Sequence, residues 1–143
     1  MTPVVVDGSV VPKWFFSEPN SIEALSILTR DWTPIAPAFV AIEWSSVLVG
    51  RVLKGDISRD RADSMFDVLL ELGITFHPDR ILLPVAIELA TLYHRSLYDC
   101  LYAALALREG CQVVTADRPF YEALRVPFPS TMLWIEDLPA ALA

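Results

Sequence analysis

"SLYDCLYAALALREGCQVVTAD", residues 96–117, decides the fold. Its first part is apolar at nearly every interior position, the pattern of a helix buried in a core rather than lying half in solvent. Gly110 supplies a stop, and the β-branched run after it reads as a buried strand. Only Asp99, in the first turn, interrupts the apolar pattern ahead of Tyr102, Ala103, Leu105 and Ala106. About eleven helical residues span roughly 16 Å. A helix of that length turning straight into a strand carries Asp99 back to the edge where strands end. Asp117, two residues after the Val-Val-Thr run, stands at the same edge.

The rest of the chain alternates in the same way. "VVV" at 4–6 reads as a buried strand ending at Asp7-Gly8-Ser9, and Val10–Phe16 as a short helix with Pro12 in its first turn. Asn20 or Ser21 is the cap candidate for a helix that sets Ile22, Leu25, Ile27 and Leu28 on one face. "TPIAP" at 33–37 is a strand burdened by two prolines, and residues 38–56 form a helix stopped by Gly55. A Ser58-capped helix follows with Ala62, Met65, Phe66 and Leu69 on one face and Gly73 at its end. Then come "ITFH" as a strand, a helix over 79–95 with Pro84 near its start, and the opening stretch. The tail, residues 130–143, holds one last strand and a fraying turn. Short strands alternating with helices predict a three-layer α/β/α architecture around a short-stranded, mainly parallel central sheet.

At 143 residues the chain suits one domain, 1–143. A hydrophobic content of 54% and a mean hydropathy of +0.44 exclude a disordered chain. They leave either a deep core or additional apolar surface for a partner. No run is long enough for a membrane-spanning helix, and the start has no basic region ahead of its apolar residues, so neither an anchor nor a signal peptide is expected. Cys100 and Cys111 read as core thiols in a reducing, cytoplasmic setting. The net charge of −7 argues against a passive polyanion binder with a broad basic face, but not against an enzyme that meets phosphates through a metal ion.

Right-handed crossovers bring Asp7, Asp99, Asp117 and Glu43, early in the helix after the second strand, to the carboxyl edge of the sheet. Carboxylates gathered there repel one another unless something positive compensates. Oxygen-only ligands suit Mg²⁺ or Mn²⁺, and such an ion can activate water against a phosphodiester. Each acid also has a plainer role. Asp7 suits a strand-end turn, Glu43 a solvated helix position, Asp99 a helix cap, and Asp117 an Asx-turn before Arg118-Pro119. Ser9 and Thr115 place hydroxyls beside the acids, either for the site or for the turns. His77 and His94 lie in different connections, and no glycine-rich phosphate loop is present. Trp14, Phe15, Phe16 and Trp44 read as core or as a groove for a partner helix or second subunit. Arg51, Lys54, Arg59 and Arg61 gather around the Gly55 turn, where they suit RNA, an acidic partner or simply water.

"VVVDGS" at 4–9, "IEW" at 42–44 and "LYDCLYAALALREGCQVVTADRPF" at 97–120 together resemble PIN-domain proteins of the VapC toxin type over essentially the whole chain. The resemblance implies a metal-dependent endoribonuclease, the toxin of a type II toxin–antitoxin pair. Asp7, Glu43, Asp99 and Asp117 would be its catalytic and metal-holding quartet for Mg²⁺ or Mn²⁺, with Thr115 and Ser9 as supporting hydroxyls. It further implies an RNA substrate, a homodimer formed through helices between Phe39 and Leu72, and a VapB-like antitoxin whose C-terminal segment lies in a hydrophobic groove. Arg118 and Pro119 stand where some relatives carry a further Asn or Asp. The alternative reading is a non-catalytic PIN-like protein–protein binding module, which the apolar surplus fits and metal-dependent RNA cleavage would exclude. A phosphatase is disfavoured because Ser9 replaces the second acid of a DxD motif.

Overall fold

The computed structural model describes residues 1–29 and 31–138. In chain order the elements are β1 (Thr2–Val6), α1 (Pro12–Phe15), α2 (Ser21–Ser26), β2 (Trp32–Pro37), α3 (Val40–Leu53), α4 (Arg59–Glu71) and β3 (Thr75–His77). After a 3-10 turn at Asp79–Leu82 come α5 (Leu83–Tyr93), α6 (Leu97–Glu109), β4 (Gln112–Thr115), α7 (Arg118–Leu124), β5 (Met132–Trp134) and a second 3-10 turn at Ile135–Asp137. The five strands form one sheet in the order β3-β2-β1-β4-β5, with every pairing parallel. Helices flank it, because a parallel return requires a crossover. Among the described residues no helix is long and apolar enough to cross a membrane.

The sheet grows from β1 through β2 to β3 in one direction and through β4 to β5 in the other. The reversal falls between β1 and β4, the place where such sheets open a crevice beyond their carboxyl ends. β1 is the centre: Val4, Val5 and Val6 are fully buried and pair with both neighbours. α6 lies against β1, β2, β4 and α5, and its residues Cys100 to Ala106 are all buried. The Ser96 hydroxyl oxygen opens it by accepting from the Asp99 backbone N–H at 3.1 Å. Gly110, at φ +65°, closes it, and the Cys111 N–H bonds back to the Ala106 carbonyl. Both cysteines are free thiols.

The structure departs from the sequence pattern in two places. α2 is a short helix in which Ala24 alone is buried, with Ile27 just beyond it, while Ile22 is 83% exposed and Leu25 half-exposed. Asn20 does not cap it by its side chain but turns the chain at φ +67°, and the Ser21 hydroxyl donates back to the Phe16 carbonyl instead. α7 lies where the sequence suggested only a turn, with Pro119 in its first turn and Phe120 and Leu124 buried one helical turn apart. Pro34 fits an internal strand because β3 begins opposite Ile35, leaving it no partner on that side, and Pro37 is the last residue of the strand. The last strand lies at Met132–Trp134, and the expected turn over 139–143 lies outside the described residues.

Replacing fully buried Leu105 by alanine is expected to lower unfolding free energy by about 2–5 kcal/mol. Ile22→Ala should stay within about 0.5 kcal/mol of wild type. Urea unfolding followed by circular dichroism measures both.

Candidate functional site

Asp7 leaves the end of β1 and is only 4% exposed. Its backbone N–H continues the pairing by donating to the Val114 carbonyl at 3.0 Å. One carboxylate oxygen, Oδ2, accepts from the Ser9 hydroxyl at 2.5 Å and from the Thr115 hydroxyl at 2.9 Å. The two hydroxyl oxygens in turn accept from the backbone N–H groups of Ala116 and Asp117, each at 3.0 Å. Ser9 and Thr115 therefore fasten the ends of β1 and β4 together through Asp7. Burial dominates its protonation, raising the pKa from 3.8 to about 7; the two hydroxyls oppose the rise, and the charges of Glu43 and Asp99 add to it.

Glu43 projects from the first turn of α3, and its Oε1 accepts a short hydrogen bond from the Tyr102 hydroxyl on α6. It approaches the β1 turn so closely that a Cβ on Gly8 would lie 2.6 Å from Oε1. Glycine at position 8 answers that approach, not a turn conformation. Burial raises the Glu43 carboxyl above its ordinary value; the Tyr102 bond opposes this, and Asp99 and Asp117 add repulsion. The Tyr102 hydroxyl is itself pushed up, first by burial and then by the Glu43 charge.

Asp99 accepts from Arg95 Nη2 at 3.1 Å. Its pKa is raised by burial, lowered by the Arg95 bond and raised again by Asp117. Asp117 caps α7, its Oδ1 facing the Phe120 N–H at 3.4 Å. Beside these groups the rings of Phe39 and Tyr98 stack at 4.9 Å, and the Arg118 guanidinium lies 3.9 Å over the Trp134 ring.

Asp7, Glu43, Asp99 and Asp117 are near enough to one another for charge repulsion to help raise the carboxyls of the first three. They do not make a metal site. Among the described residues, no group of three or more His, Cys, Asp or Glu side chains is arranged to hold a metal ion. Each acid instead has a partner within the fold: two hydroxyls engage Asp7, a phenol engages Glu43, a guanidinium engages Asp99, and a helix terminus engages Asp117. The Mg²⁺- or Mn²⁺-dependent endoribonuclease implied by the sequence resemblance is overturned on this point, together with the metal-holding role of the four acids. The RNA substrate has no support beyond that reading.

Gly8, Arg95 and Tyr102 were absent from the sequence-derived site. Tyr102 lies three residues after Asp99 on α6, a spacing that makes helix neighbours, whereas Arg95 lies in the turn before α6, where no helical spacing marks it. The Glu43–Tyr102 contact joins positions 59 residues apart, with no local signal.

Because the Asp7 pKa is higher folded than unfolded, the native state holds the extra proton and stability falls as pH rises from 3.8 to about 7. The cost is absent below that window and complete above it. Asp7→Asn should therefore melt above wild type at about pH 8, with the gap narrowing toward about pH 5. Thermal melts across that range check it.

The PIN domain family model matches residues 4–125. No curated protein matches the sequence. Among solved structures, PAE2754 from Pyrobaculum aerophilum superimposes with a TM-score of 0.72 at 17% identity, over 99% of this chain and 89% of that one. VapBC2 from Rickettsia felis, solved bound to a DNA fragment from its promoter, gives 0.67 at 15% identity over 93% and 98%. A toxin–antitoxin complex from Klebsiella pneumoniae gives 0.56 at 16% identity over 82% and 89%. At these identities the superpositions speak for the fold. With the family match spanning most of its length, the chain belongs to the PIN domain family.

Proposed function

We propose that this chain is a PIN-domain protein-binding module whose partner is an antitoxin-type protein held between α3 and α4. The observation that carries the reading is an apolar groove of about 410 Å³ between these helices, lined by Leu48, Val49, Val52, Leu53, Ala62 and Phe66. Its origin is local. α4 buries only Ala62, Met65 and Leu69, so it leans on α3 along a narrow stripe. Val49 is 57% and Leu53 81% exposed, although both are branched aliphatics on the groove wall. An amphipathic helix laid into such a groove removes this surface from water.

The groove mouth carries charge as well. Arg59 and Asp63 line it as an ion pair at 2.9 Å. The Rickettsia and Klebsiella structures support the choice of an antitoxin-type partner, since each is a toxin–antitoxin assembly built on the same fold. The free thiols support a cytoplasmic setting.

Self-association belongs to the same proposal. Ile42 is exposed beside the stacked Phe39 and Tyr98, and a second copy related by a two-fold axis covers this patch on both chains.

Fluorescence anisotropy with a labelled amphipathic helical peptide tests the groove. Val49→Asp and Leu53→Asp should each weaken binding at least about tenfold, or about 1.4 kcal/mol, without altering thermal melts. Unchanged affinity overturns the groove as the docking site. Light scattering should give twice the chain mass for wild type and one chain mass for Ile42→Lys; a single-chain mass for wild type removes the dimer and leaves the groove standing.

A further inference from the structure

Three of the four rim carboxylates meet neutral partners: hydroxyls at Asp7, a phenol at Glu43 and a backbone N–H at Asp117. Among the described residues, Asp99 alone has a cation. Arg95 Nη2 lies 3.1 Å from its Oδ2, and the two side chains are only 26% and 22% exposed. The turn between α5 and α6 fixes this geometry. His94 ends α5 in the left-handed region at φ +54°, and Ser96 caps α6 one residue after Arg95. The guanidinium thus starts from a backbone held on both sides.

A second observation shows what holds the Arg95 side chain there. Its Nε is buried without a hydrogen-bond partner among the described residues. A buried donor without an acceptor is unfavourable, so full hydrogen-bond satisfaction does not explain the position. Attraction to Asp99 does. Guanidinium stays charged at any pH the fold survives, which makes the compensation permanent where a histidine or lysine could release it.

We propose that Arg95 is the resident counter-charge of the acidic rim, standing where a divalent cation would otherwise compensate Asp99 and Asp117, and that it excludes such ions from the rim. This accounts for a PIN-domain rim that keeps its acids and, among the described residues, lacks a metal-holding arrangement. It concerns the rim alone, so failure of the groove reading leaves it intact.

Calorimetric titration of the whole chain with Mn²⁺ alone is the test. Wild type and Arg95→Lys should show no saturable binding up to about 1 mM, while Arg95→Gln should bind at least about tenfold more tightly and lose that gain when combined with Asp99→Asn. Circular dichroism establishes that each variant is folded. Arg95→Met, which keeps the aliphatic stem and its packing, replaces the glutamine variant if that one unfolds. Equal binding by wild type and the neutral variant overturns the proposal. So does saturable wild-type binding that Asp99→Asn abolishes, a result that needs no Arg95 variant.

Discussion

Parallel pairing of β1 with β4 constrains nearly everything else in the molecule. A parallel neighbour cannot be reached by a tight turn, so the chain must return across the sheet, and α6 provides that return. Lying over β1, β2 and β4, the helix has no solvent side, which is why Cys100 through Ala106 are buried without a break. The same pairing brings Asp7 and Thr115 to adjacent strand ends, where the sheet order reverses. There Asp7 accepts from Ser9 and Thr115. The rim is therefore a product of topology: acids remote in sequence meet because the strands bearing two of them are neighbours and the helices bearing the others start from that edge.

Legibility in the sequence follows the range of the forces involved. α6 is plain because a helix apolar all round has one destination, and Gly110 marks its end with a conformation other residues resist. α4 is plain because Ser58 caps it and its apolar stripe is narrow. α2 is misjudged because periodicity identifies a face without saying what covers it; Ile22 and Leu25 form a stripe that meets water here. α7 is too short for periodicity, and its signal is confined to an aspartate cap followed by proline. The fold class needs only the alternation of such pieces, so errors in single elements do not alter it.

The acids illustrate a different limit. Their convergence follows from crossover handedness and helix length, both readable from spacing. Their occupation by partners does not. Glu43 meets Tyr102 across 59 residues of chain, and the approach of Glu43 to Gly8 depends on how α3 settles against the β1 turn. A carboxylate in sequence is a formal charge. In the fold it is a charge with particular neighbours, and burial with those neighbours decides whether it can accept anything further.

The edges of the sheet have their own consequence. β3 and β5, the outer strands, contain three residues each. So short an edge gives another chain little backbone on which to build, one of the ways natural sheets avoid adding strands from neighbours. Much of the apolar surface that remains lies on helices, as at Val49, Leu53, Ile42 and Ile22. Crowding of this protein during synthesis would thus bring helix faces together rather than extend the sheet, favouring amorphous, reversible clusters over fibrils.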